Sequence, residues 1–265
     1  MVSAKAVERA VFISDVHLLP REGRKALILC DFLKTIKGEA LFILGDFFDF
    51  WVGEEQLRIM DCADIFAEMQ NLSTNGTKIC FLRGNRDFLL NRRSVRSFGA
   101  SMLGSRIEIF LKEQRACLSH GDDYLINDET YLLFKAITRQ PLLKAAFKHL
   151  VPFSIRMAFA KRIREESSIS VKRKVRRSER VVELSKRAII ERFKSGYDVM
   201  VCGHIHKPTI TKFRISEKTH TFYTLGNWTE KGGWYLIFDD GLFVLKHFPS
   251  GEQLTESSPK VPSLF

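Results

Sequence analysis

Long apolar runs are missing from this 265-residue chain. No stretch of about 18 uncharged apolar residues occurs, so no segment is expected to span a bilayer. The opening MVSAKAVERA carries charge and lacks an apolar core, so a secretory leader is not expected either. Paired cysteines are also missing. Cys30, Cys62, Cys80, Cys117 and Cys202 form no CxxC motif, and most lie in or beside strand-like apolar runs. They read as buried reduced thiols of a cytoplasmic protein, not as a disulfide framework.

Acidic residues are scarce in one place only. Residues 131–194 hold 18 Lys or Arg against 5 acidic residues, a local charge of +13. The whole chain carries +11, which leaves the remainder at −2. A slightly acidic body thus bears one basic segment, suited to an anionic partner: nucleic acid, a membrane surface or an acidic substrate.

What is present is a strand–helix alternation over residues 10–120. VFIS, LFIL and KICFLR read as buried strands, and two amphipathic stretches, 22–37 and 56–74, lie between them. That order predicts a parallel core. RIEIFLK and RACLS are close in sequence and predict an antiparallel pair. Residues 197–247 are strand-rich. Between them, 127–195 reads as helix divided at Pro141 and Pro152, with apolar Leu142, Leu143, Phe147 and Leu150 set against Lys144, Lys148 and His149. The predicted organisation is a core of 1–126 and 196–248, a basic amphipathic helical lid of 127–195, and a disordered tail of 249–265.

Five motifs stand after apolar runs: Asp15-Val16-His17, Gly45-Asp46, Gly84-Asn85-Arg86-Asp87, His120-Gly121-Asp122 and Gly203-His204-Ile205-His206. Four of the seven histidines lie in them. Residues at strand C-termini converge although distant in sequence. Imidazoles, carboxylates and an amide form a mixed N/O ligand set that suits two divalent cations. We assign Asp15, His17, Asp46 and His206 to one, and Asp46, Asn85, His120 and His204 to the other, with Asp46 bridging. Each motif alone is a common turn; the set is specific. Paired cations clamp a phosphoryl group and acidify water, so hydrolysis at phosphorus is the predicted chemistry.

The order DxH, GD, GN, H, GHxH over residues 10–206 resembles the calcineurin-like metallophosphoesterases. The resemblance implies an α/β, four-layer α-β-β-α sandwich of two mixed sheets, with two Mn²⁺ or similar ions at the seven ligands. Many members of that superfamily have a His after Gly-Asn, thought to protonate the leaving group; this chain has Arg86. An Arg cannot act as an acid near neutral pH but can clamp phosphate. A phosphate leaving group needs no proton, so Arg86 favours a pyrophosphate bond. The competing reading pairs Arg86 with Asp87 or another carboxylate.

The segments LFILGDFFDFWVGEE, LRGNRDFLL, HGDDYLINDETYLLFK, GHIHKP and YTLGNW are similar to the UDP-2,3-diacylglucosamine pyrophosphatases of lipid A biosynthesis. That resemblance implies release of UMP and 2,3-diacylglucosamine 1-phosphate. It implies catalytic roles for Asn85, Arg86 and His204 and substrate contacts at Asn85, Arg86, Asp128, Ser167, Lys174 and His204. On physical grounds, the Leu, Phe, Ile and Ala of the lid interleaved with Lys and Arg suit acyl chains and peripheral docking on an anionic membrane, which is expected to be the cytoplasmic face of the inner membrane. The chain departs from that family at Val171, where Asn is usual, and at Asn227, where Asp is typical. Trp51 reads either as a membrane or ligand contact or as a packed rim residue. Two alternatives compete: a nuclease or phosphodiesterase using the basic lid, and a non-catalytic scaffold. The aliphatic lid disfavours nucleic acid, and the complete ligand set disfavours the scaffold.

Overall fold

The structure is a computed structural model and describes residues 6–21, 23–124, 140–176 and 185–255, with the backbone alone at 141 and 165–176. Its framework follows from strands that are apolar on both faces. In β1 (Arg9–Ile13) and β2 (Ala40–Ile43), Ala10, Phe12, Ala40 and Phe42 point to one side, and Val11, Ile13, Leu41 and Ile43 to the other. Both sides are buried. Continuous apolar runs of this kind require a covered sheet rather than one facing water.

One side is covered by helices. α1 (Gly23–Thr35) supplies Leu29, Phe32 and Leu33, and α2 (Ala63–Thr74) supplies Ile65, Met69 and Leu72. The predicted helix over 56–74 is therefore a short 3₁₀ turn, Glu54–Arg58, followed by α2. The break is tertiary in origin: the Asp61 N–H donates to the Pro20 carbonyl at 2.9 Å.

β1, β2 and β3 (Lys78–Leu82) are mutually parallel in the order predicted, and β4 (Ala100–Gly104) adds a fourth parallel strand after the short α3 (Arg92–Arg96). β5 (Arg106–Leu111) and β6 (Gln114–Ser119) form the predicted antiparallel pair. Beyond the helical segment come β7 (Val199–Cys202), β8 (Thr209–Ile215), β9 (Lys218–Thr224), β10 (Trp228–Thr229), β11 (Gly232–Asp239), β12 (Leu242–Phe248) and β13 (Gln253–Leu254). One sheet runs β13-β12-β11-β1-β2-β3-β4, with β10 paired to β11. The other runs β5-β6-β7-β9-β8. Both mix parallel and antiparallel pairs, and their inner faces meet around Phe12, Phe42, Leu118, Val201, Leu236 and Phe238.

The segment between β6 and β7 contains α4 (Pro141–Leu150), α5 (Phe153–Arg176) and α6 (Lys186–Lys194). Pro141 opens α4, where the missing N–H costs nothing. Two predicted boundaries are corrected. α6, placed in the lid by sequence, packs Ile189 and Phe193 against Cys117, Met200 and Phe222 on the outer face of the second sheet. It is the fourth layer of an α-β-β-α sandwich. The predicted disordered tail begins too early, because Gln253–Leu254 pairs with β12; 256–265 lie outside the described residues.

Candidate metal centre

All seven predicted ligands come together at the C-terminal ends of β1, β2, β3, β6 and β7. His17 Nε2 lies 3.1 Å from His206 Nε2, and Asp15 Oδ1 lies 3.3 Å from the same His206 nitrogen and 3.8 Å from that of His17. His120 Nε2 lies 2.8 Å from Asn85 Oδ1 and 3.1 Å from His204 Nδ1, and 3.6 Å from Asp46 Oδ2. Ligand atoms of Asp15, His17 and His206 lie within 4.8 Å of one another, as do those of Asp15, Asp46 and His120. Asp15 is common to both groups. Asp46, which the sequence reading made the shared ligand, joins the second.

The turns that carry these groups are unusual. Asp15, His17, Asp46, His204 and His206 all have φ between 51° and 74°. Left-handed backbone is costly for a residue with a Cβ, and it persists where the surroundings impose it. Here they do. The His17 N–H donates to Asp46 O at 2.9 Å and the Asp15 N–H to Gly45 O at 3.2 Å. The His204 N–H donates to Asp15 Oδ2 at 2.8 Å. Gly45 and Gly84 touch so closely that a Cβ on Gly45 would sit 2.6 Å from the Gly84 Cα.

The donor set fits divalent cations. His120 Nδ1 contacts the Leu44 carbonyl at 2.9 Å; a carbonyl only accepts, so this nitrogen carries a proton and Nε2 is the nitrogen left for a cation when the ring gives up its second proton. Asp15 is fully buried, yet its Oδ1 makes no well-formed hydrogen bond among the described residues. Burial opposes its ionisation, but the neighbouring His206, His120 and His17 carry its carboxyl well below the usual range. Burial raises Asp46 to about 7 and, with the charge of His120, lowers His204 to about 3. Burial also opposes charge on His120, but Asp46, Asp15 and Asp122 raise it to about 9. Buried carboxylates and imidazoles crowd together here and shift one another strongly; divalent cations would take the place of the protons that Asp46 and His120 otherwise hold.

Arg86 Nη1 pairs with Asp49 Oδ1 at 3.0 Å, its Nε lies 3.9 Å from Asp46 Oδ2, and its backbone N–H donates to Asp46 Oδ1 at 2.9 Å. The competing reading, an ion pair with a carboxylate, is therefore met, with Asp49 and not Asp87 as the partner. Asp87 is fully buried and clips two ligand loops together, accepting the N–H groups of Gly84 at 2.7 Å and Phe47 at 3.0 Å. Asp87→Ala leaves both donors unpaired, and unfolding in urea is expected to show a loss of roughly 3 kcal/mol. An unchanged midpoint would contradict that role. Sequence reading missed both aspartates as functional; their signal was position, three residues after Asp46 and two after Asn85.

Trp51 is fully buried, with its ring 4.7 Å from Phe48, so it is a packed rim residue and not a ligand contact. Asp128 lies outside the described residues, and so do the side chains of Ser167 and Lys174 on α5.

Residues 8–208 match the calcineurin-like phosphoesterase family. The chain is 32% identical over 243 residues to the UDP-2,3-diacylglucosamine hydrolase of Pseudomonas savastanoi pv. phaseolicola, covering 90% of this chain and 95% of that protein. It is 32% identical over 221 residues to the protein of the same name from Vibrio cholerae serotype O1, covering 82% and 90%. A solved phosphoesterase from E. coli, YfcE, aligns over 93% of this chain and 97% of its own, at 15% identity and a TM-score of 0.45.

Proposed function

The chain belongs to the calcineurin-like phosphoesterases, a hydrolytic family, and from that premise we propose that it hydrolyses the pyrophosphate bond of UDP-2,3-diacylglucosamine, releasing UMP and 2,3-diacylglucosamine 1-phosphate. One observation carries the reading: Arg86, held by Asp49 and Asp46, stands beside the ligand cluster where a leaving-group acid would otherwise be. The names of the relatives support the same substrate.

Asp15, His17, Asp46 and His206 would hold one divalent ion, and Asp46, Asn85, His120 and His204 the other, Mn²⁺ being the proposed metal. Such a pair, when bound, supplies a Lewis-acid clamp on the phosphoryl group and lowers the pKa of water. The remaining work falls to the chain. Asn85 and His204 border the reacting phosphoryl group. Arg86 offers paired N–H donors to its oxygens. Attack at the α-phosphorus expels a sugar phosphate, which leaves without a proton. Asp128, Ser167 and Lys174 are proposed substrate contacts from the lid segment.

The cap formed by α4 and α5 is proposed to receive acyl chains and to dock on the anionic cytoplasmic face of the inner membrane. Leu142, Leu143, Leu150, Ile155 and Phe159 are exposed on α4 and α5, among Lys148, His149 and Lys161. No helix among the described residues is long and apolar enough to cross a membrane.

The test is a substrate panel. With Mn²⁺ the purified protein is expected to release UMP from UDP-2,3-diacylglucosamine while leaving DNA and bis-p-nitrophenyl phosphate nearly untouched. Comparable rates on DNA would replace this reading with a nuclease.

A further inference from the structure

Asp49 is 7% exposed, and both of its oxygens are engaged. Oδ1 pairs with Arg86 Nη1 at 3.0 Å, and Oδ2 pairs with Arg164 Nε of α5 at 3.2 Å. Arg86 is held on other sides as well. Its guanidinium carbon lies over the Phe50 ring at 5.6 Å from the centroid, and its Nε faces Asp46. An arginine with so many restraints is aimed before any anion arrives, and pre-aimed groups bind with less ordering cost.

The same stretch of chain is the seat of the cap. Glu54 pairs with Lys148 of α4 at 2.7 Å, and Glu55 with Arg156 of α5 at 2.7 Å. Arg156 is 2% exposed and also donates to the carbonyls of Val151 and Val52. Three acidic residues after Asp46 thus meet three basic residues of the cap helices. Of the three, Asp49 is the one whose ion pairs reach both the cap and the ligand cluster.

We propose that Asp49 is a positioning residue: it holds Arg86 toward the phosphoryl group and, through Arg164, makes that aim depend on the seating of α5. The proposal rests on the phosphate-binding role of Arg86 argued above. Because Asp49 acts through Arg86, its loss should matter only while Arg86 is present.

The experiment is a double-mutant cycle on the full-length, Mn²⁺-loaded protein, read as the Kd for inorganic phosphate by calorimetry and as kcat and KM for UMP release. Asp49→Asn is expected to weaken phosphate binding about tenfold and Arg86→Met at least as much, because a charge-assisted hydrogen bond is at stake. The double variant should be no worse than Arg86→Met alone. Asp49→Glu should recover most of the loss, since it restores the charge. Arg164→Met should weaken binding by a smaller factor, and should add nothing in the Asp49→Asn background. Additive losses, an unchanged Kd in Asp49→Asn, or no phosphate binding by the wild type would each overturn the proposal. A wild type that binds phosphate and shows the cycle but releases no UMP would overturn the substrate assignment alone.

Discussion

Asp46→Ala is expected to lower turnover by at least about a thousandfold, equivalent to roughly 4 kcal/mol of transition-state stabilisation. The carboxylate is 2% exposed, and its surroundings are the reason for so large an effect. Oδ1 accepts the Arg86 N–H at 2.9 Å, and Oδ2 lies 3.6 Å from His120 Nε2 and 3.9 Å from Arg86 Nε. One small side chain therefore faces the candidate ligand His120 and Arg86, the proposed phosphate clamp, together. Its removal takes negative charge from the cluster and releases the loop that carries Arg86. Gross unfolding is not the expected cause. Without cations, burial raises this carboxyl to about 7, so the ionised form is disfavoured and its loss relieves a penalty. The thermal unfolding midpoint in chelator should therefore drop only modestly, by the acceptor that the Arg86 N–H loses. The stabilisation that Mn²⁺ gives the wild type should shrink in the variant, because binding to the native state is what raises the melting temperature. Activity within tenfold of wild type would overturn the assignment of Asp46 as a metal ligand.

The sheet core was legible because burial on both faces leaves a plain trace. VFI, LFI and CFL are continuous apolar runs, and each became a central parallel strand. β4 escaped because Ala-Ser-Met-Leu-Gly is weakly β-forming and is paired on one side only, to β3. The role of α6 escaped for a different reason. Ile189 and Phe193 mark an apolar face, but periodicity does not say which surface that face will cover. The convergence of the candidate ligands was legible because they follow strands and belong to residue types that bind cations. Their left-handed backbone was not: a residue name says nothing of φ unless it is Gly, and five of the seven ligands depend on φ set by contacts from other loops. Asp49 and Asp87 lie inside the segments that carry the candidate ligands. Their partners are an arginine 37 residues away and the N–H of Phe47, 40 residues away, so only the fold reveals what they do.

Arg86→His is expected to reverse the preference between two kinds of leaving group. The guanidinium is partly exposed at the cluster, braced by Asp49 at 3.0 Å and Asp46 at 3.9 Å. It can bind a phosphoryl oxygen through two N–H groups at once but has no proton to give. An imidazole reverses both properties. It loses the paired contact, which should lower kcat/KM for UDP-2,3-diacylglucosamine about a hundredfold. Near these carboxylates it would also tend to keep its proton and could pass it to an alkoxide. Hydrolysis of a 2′,3′-cyclic nucleotide, whose leaving group is an alkoxide, should then rise by about tenfold, a modest general-acid gain. The ratio of the two activities should move by about a thousandfold, too large to come from a general loosening of the site. An aryl phosphodiester serves as control, because nitrophenolate departs without help and its rate should not rise. If both substrates fall together in Arg86→His, the residue supplies only charge, and the preference for a phosphoanhydride must come from the cap. If the ratio shifts as expected, the choice between anhydride and ester is made by one side chain, and the metal ligands common to both chemistries take no part in it.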